Sequence, residues 1–180
     1  MKPRIGVMGS ATGAHSAELL AKAAAVGKAI AERDCILMFG ATIGLPLAAA
    51  KAASEANGFV LGVSPAANGQ EHLEKYHYPV EACNAVVYTG FGYSGRNVVL
   101  VRSCDAIIII GGRIGTMGEF SIAYAEEKPI GVLEGSTGLA GKIREIEKEV
   151  LCKEKPTKII FESNPEKLVE KLLRELKGEK

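Results

Sequence analysis

Short apolar runs rich in β-branched residues alternate, along the whole chain, with longer Ala- and Leu-rich stretches of helical period. That alternation is the signature of an α/β protein with a parallel sheet covered on both faces. Strands are expected at Arg4 to Met8, Cys35 to Phe39, Phe59 to Val63, Ala85 to Tyr88, Ala106 to Ile110, Pro129 to Leu133 and Lys158 to Phe161. Helices are expected at about Ala17 to Glu32, Leu45 to Ala56, Arg96 to Ser103, Thr116 to Glu127 and Leu139 to Val150, with a last one from Pro165 onward. Asn57-Gly58 is a common left-handed terminator, and before the last helix Asn164 can cap while Ser163 and Glu166 have capping-box spacing. Between Ser64 and Pro79 the pattern stops, which reads as a surface excursion. No linker, repeat or low-complexity segment interrupts the 180 residues, so the chain reads as one domain.

Charge narrows the function. With 22 Lys+Arg against 21 Asp+Glu, spread evenly, the chain has neither the basic footprint of a nucleic-acid binder nor a polybasic segment for an anionic membrane. Its apolar runs are far shorter than a bilayer span, and Met1-Lys2-Pro3-Arg4 leads into a short apolar run closed by glycine, so a soluble, unprocessed, cytoplasmic protein is expected. Cys35, Cys83, Cys104 and Cys152 lack CxxC or CxxH spacing, which disfavours zinc and thioredoxin-type chemistry and suggests buried thiols in a reducing compartment. No metal site is expected.

Three strand-to-helix junctions carry glycine pairs: Gly9 with Gly13, Gly40 with Gly44, and Gly111-Gly112 with Gly115. In an open parallel sheet such turns line the carboxyl edge, where bare N–H groups and a helix N-terminus hold an anion. A phosphate or nucleotide ligand is therefore expected, although glycine in such turns can also serve only a positive φ. Gly90-Phe91-Gly92-Tyr93-Ser94-Gly95 spells GxGxxG, but it follows the fourth strand and has no acidic residue closing the next one, so a dinucleotide fingerprint is set aside. The GxxxxGK[ST] phosphate loop is absent.

Of the nearby charges, Arg96 begins a helix at this edge. Glu119 falls in the expected first turn of another helix, where it would either face a ligand or complement the helix dipole. Arg102 and Asp105 read as a structural ion pair, and His15 as a loop histidine. His72 and His77 have no third ligand nearby.

The run from Arg96-Asn97 through Arg102 and Asp105 to Gly111-Gly112-Arg113-Ile114-Gly115-Thr116-Met117-Gly118-Glu119 resembles the signature of the lysine-decarboxylase-like proteins. This Rossmann-like group includes the Lonely Guy (LOG) phosphoribohydrolases and the molybdenum-cofactor carriers. Gly9-Ser10, Phe39-Gly40, Gly44-Leu45 and Gly62-Val63-Ser64-Pro65 resemble its N-terminal half. The resemblance implies a Rossmann-like, doubly wound sheet of about seven mostly parallel strands, a nucleotide-type ligand, no pyridoxal phosphate and no lysine decarboxylation, and a dimer or higher oligomer. It implies catalytic roles for Arg96 and Glu119 if the chain cleaves nucleoside 5′-monophosphates; together with the glycine turns it points to ligand-binding roles for Gly9, Ser10, Gly40, Gly44, Gly111, Gly112, Gly115 and Thr116, while Arg113, which departs from the family pattern, suggests altered anion recognition.

Gly111 stands where the hydrolases have Pro, Arg113 where they have Gly, and Gly118 where they have an acidic residue. Arg96-Asn97 is closer to the carrier branch. The expected function is thus binding or carriage of a phosphorylated, nucleotide-like ligand with no further cofactor required, with phosphoribohydrolase activity as the alternative. Small residues on the second helix, Ala48, Ala49, Ala50, Ala52 and Ala53, suggest a face for a homo-oligomer, dimer or tetramer, or close packing within the monomer.

Overall fold

The computed structural model describes residues 1–151 and 157–178. Seven strands, β1 (Arg4–Gly9), β2 (Ile36–Phe39), β3 (Phe59–Ser64), β4 (Ala85–Tyr88), β5 (Ala106–Ile110), β6 (Ile130–Leu133) and β7 (Ile159–Glu162), form one sheet in the order β4-β3-β2-β1-β5-β6-β7. Every pairing is parallel. The crossovers are α1 (Ala17–Glu32), α2 (Leu45–Glu55), α3 (Gly69–Glu74), α4 (Gly92–Ser103), α5 (Ile114–Ala125) and α6 (Ile143–Glu149), and α7 (Pro165–Lys177) closes the chain.

Alternate residues of each strand feed opposite layers. Ile5, Val7, Leu37, Phe39, Ile108 and Ile110 pack with residues of α1, α2 and α7. Met8, Met38, Ile107 and Ile109 pack with residues of α4, α5 and α6. Central β5 is buried at all five positions, as its unbroken apolar run requires. The winding direction reverses between β1 and β5, whose last paired residues are Gly9 and Ile110. Loops leave these two strand ends in opposite directions, so a crevice opens at the carboxyl edge there.

Several expectations need correction. The excursion contains α3, capped reciprocally: Asn68 Oδ1 accepts from the Glu71 N–H at 2.9 Å, and Glu71 Oε2 accepts from the Ala67 N–H at 2.6 Å. Helices α4 and α5 begin at Gly92 and Ile114, earlier than periodicity suggests, and a 3-10 turn at Ala140–Lys142 takes the start of the expected sixth helix. Asn164 caps α7 through the Lys167 N–H, and Ser163 takes no part in that cap. Of the α2 alanines, Ala49, Ala50 and Ala53 are buried within the chain, and Gly27 of α1 comes so close that a Cβ there would overlap the Ala49 carbonyl. Cys35 and Cys104 are buried and Cys83 is half-buried, while Cys152 lies outside the described residues. Among the described residues no helix is long and apolar enough to cross a membrane.

Candidate ligand site

The crevice at the β1/β5 switch point is a cavity of about 280 Å³. The β1 loop contributes Gly9, Ser10 and Thr12, the β2 loop Gly40 and Thr42, α4 Tyr93, Arg96 and Asn97, and α5 with its preceding residue Arg113, Gly115, Thr116 and Glu119. Tyr78, from the stretch before β4, completes it.

Two charges are built into this cavity rather than left on its rim. Arg96 is buried, with its guanidinium over Gly40 and Nη1 donating to the Val63 carbonyl at 3.4 Å. Burial pushes its pKa below the ordinary arginine value, opposed by the negative field of Glu119. Glu119 is 7% exposed, and burial raises its carboxyl to about 7 despite the attraction of Arg96. It lies in the second turn of α5, beyond the reach of the helix dipole on which the alternative reading relied. With its amide oriented so that oxygen and nitrogen both find partners, Asn97 Nδ2 donates to Glu119 Oε1 at 3.2 Å and to the Tyr93 carbonyl at 3.1 Å.

The start of α5 has no side-chain cap, so its first-turn amides have no side-chain acceptor. Gly115 and Thr116 of this turn line the cavity, and beyond Gly115 there is open space. Arg113, exposed, extends its Nη2 over Gly13 of the β1 loop.

Gly9, Ser10, Gly40, Arg96, Arg113, Gly115, Thr116 and Glu119 thus come together around one cavity, whereas Gly44, Gly111 and Gly112 do not line it. The Gly111 N–H donates to Ser136 Oγ at 3.1 Å and the Gly112 N–H to Ser10 Oγ at 2.9 Å, so these amides tie loops together instead of facing an anion. Gly44, at φ 74°, packs against the Ser10 and Ala11 backbone. Asp105 pairs with Arg4 at 2.6 Å and Arg102 with Glu126 at 3.4 Å, so the expected pair of Arg102 with Asp105 is replaced by two others. His15 lines a separate hollow with Lys22 and Thr137. His72 is fully buried, its Nδ1 2.8 Å from Ser64 Oγ, and burial lowers its pKa; His77 is exposed. Among the described residues no three His, Cys, Asp or Glu side chains gather as a metal site.

Sequence reasoning missed Thr12, Thr42, Tyr78 and Tyr93. Tyr93 sits inside the GxGxxG run set aside as a fingerprint, and Tyr78 in the aperiodic excursion; neither position carries a periodic signal.

The sequence matches the SLOG cluster4 family over residues 2–169. An uncharacterized protein of Archaeoglobus fulgidus is 32% identical over 138 residues, 77% of this chain and 84% of that protein. Among solved structures, a structural-genomics target named TM1055 superposes with a TM-score of 0.84 at 25% identity, over 97% of this chain and 99% of that one. The molybdenum cofactor binding protein of Rippkaea orientalis gives 0.78 at 25% identity, over 98% of both chains. The molybdenum cofactor carrier protein of Chlamydomonas reinhardtii gives 0.75 at 26% identity, over 96% of this chain and 99% of that one.

Proposed function

This chain belongs to the SLOG cluster4 family, and from that premise we propose that it binds a nucleotide or nucleotide-like phosphorylated small molecule at the β1/β5 crevice, as a carrier or binding protein for that molecule. The observation that carries this reading is the uncapped N-terminus of α5 opening onto a cavity beside Arg113. Unsatisfied first-turn amides, the positive end of the helix and a guanidinium together make an anion site. The molybdenum-cofactor binding and carrier functions named for the structural neighbours support a cofactor as cargo. In this reading the chain needs no resident cofactor, acts in the cytoplasm as a dimer or tetramer, and has no nucleic-acid partner.

Two measurements test it. Mass spectrometry of the purified protein identifies any copurifying molecule, and a crystal soaked with nucleoside monophosphate locates it. Phosphate density against Gly115 and Thr116 is the expected result; ligand bound only elsewhere overturns the proposal.

Glu119 favours a second reading, phosphoribohydrolase activity. A carboxyl titrating at about 7 beside a buried arginine suits acid–base work near neutrality. The N-glycosidic bond would break with its electron pair leaving on the base, which takes up a proton as it departs, while water adds at C1′ of the ribose and gives up a proton to the Glu119 carboxylate; that carboxylate also offsets the developing oxocarbenium charge, and Arg96 favours departure of the base. Incubation with AMP should then release adenine and ribose 5-phosphate, and Glu119→Gln should remove most turnover with affinity nearly intact. Absence of turnover on every nucleoside monophosphate removes this second reading and leaves the first.

A further inference from the structure

Four of the chain's five tyrosines, Tyr76, Tyr78, Tyr88 and Tyr93, gather with His72 in one cluster on the α3 to α4 side of the cavity. Two of them, Tyr78 and Tyr93, reach the cavity itself. Their rings are fixed before any ligand arrives. The two hydroxyls are hydrogen-bonded at 2.9 Å, Tyr76 stacks on Tyr78 with centroids 5.9 Å apart, and the same ring meets Tyr93 edge-on at 5.6 Å. His72, fully buried, braces Tyr78 from within at 5.9 Å.

Tyr93 nevertheless remains 51% exposed, and neighbouring Phe91 is 68% exposed. Rigid aromatic surface facing water beside a cavity is unfavourable until something flat and apolar covers it. The anion-binding groups come from other elements, α5 and the β1 loop, so the cavity has one aromatic and one anion-seeking wall. At about 280 Å³ it sits at the small end of ligand pockets, a size that suits one ring system and one phosphate.

We infer that Tyr78 and Tyr93 form a stacking platform for the planar heterocycle of the ligand, so that the site selects monophosphates carrying an aromatic ring over bare sugar phosphates. This rests on the ligand-binding reading above and adds to it an orientation, with the ring on the tyrosines and the phosphate at α5. Because every base presents a π-face, the platform recognises the presence of a ring rather than its identity.

Calorimetric titration of AMP, GMP and ribose 5-phosphate against the parent, Tyr93→Leu and Tyr93→Phe proteins tests it. Tyr93 is half exposed, so both variants should fold, and thermal melts check that they do. Tyr93→Leu should weaken AMP and GMP binding about 10-fold or more and leave ribose 5-phosphate within about 2-fold, whereas Tyr93→Phe, which keeps the ring, should stay within about 3-fold of the parent for both nucleotides. The chain has no tryptophan, so quenching of tyrosine emission on AMP addition gives an independent readout. Nucleotides that bind the parent no more tightly than ribose 5-phosphate, or that bind Tyr93→Leu unchanged, overturn the platform and leave the binding proposal standing. Failure of all three probes to bind the parent overturns both.

Discussion

Arg96 occupies space that only a glycine at position 40 leaves open: a Cβ built on Gly40 would fall within the guanidinium, at Nη1. Gly40 thus serves the site by omission, as a notch for a buried cation. Gly40→Ala should displace Arg96 and cost about 1–3 kcal/mol, the range for overpacking a close-packed interior. In an Arg96→Ala background the same change should cost much less. A double-mutant cycle from urea denaturation measures the difference, and additive costs would show that the two positions do not communicate.

Glu119 couples stability to pH. Its carboxyl, ordinarily at 4.5, is raised by burial to about 7. Between those values the folded protein holds a proton that the unfolded chain has lost. Stability is therefore undiminished below pH 4.5, falls as pH rises between 4.5 and about 7, and above that carries the full penalty of ionising the buried carboxyl. Glu119→Gln carries no such penalty. At pH 8 it should exceed the parent in stability by up to about 3 kcal/mol, since each pH unit is worth about 1.4 kcal/mol. At pH 4 the two should match. Urea unfolding at both values checks this, and a gap that does not change with pH would contradict it.

Gly115 is a glycine that the fold itself does not need, because a Cβ there meets nothing within 4 Å. Gly115→Ala should leave the protein as stable or raise stability by a fraction of the ~1 kcal/mol that separates glycine from alanine in helices. Its affinity for a nucleoside monophosphate should drop, because the methyl group occupies the approach to the first-turn amides. Thermal melting with calorimetry separates the two effects; unchanged affinity would move the anion away from this turn.

Arg113 is exposed and reaches over the β1 loop, where Nη2 would lie 2.5 Å from a Cβ on Gly13. A clamp made by this side chain predicts that Arg113→Gly weakens AMP binding by about 1.5–3 kcal/mol, the range for hydrogen bonds to charged groups, and barely affects adenosine. Equal affinity of parent and variant for AMP would make Arg113 a surface residue.

The alternation of apolar runs was enough to place all seven strands, because short β-branched runs set off from Ala-rich crossover helices stand out in the chain whether the strand is fully buried, as β5 is, or lies at the sheet edge, as β4 does. Local capping chemistry was legible too, in Asn164 and in the left-handed Asn57 at φ 59°, since such devices act over three or four residues. The Asn68 and Glu71 capping box had the same local spacing and would have revealed α3 within the excursion. What tertiary structure alone decided was the use to which each glycine was put. Gly111 and Gly112 bind neighbouring hydroxyls, Gly40 admits a guanidinium from a helix 56 positions on, and Gly115 alone of the four leaves open space. The aromatic wall was likewise invisible, because Tyr78 and Tyr93 meet across a strand and a turn. Periodicity reports the environment of one element, whereas these contacts depend on which loops the parallel order brings to the same edge.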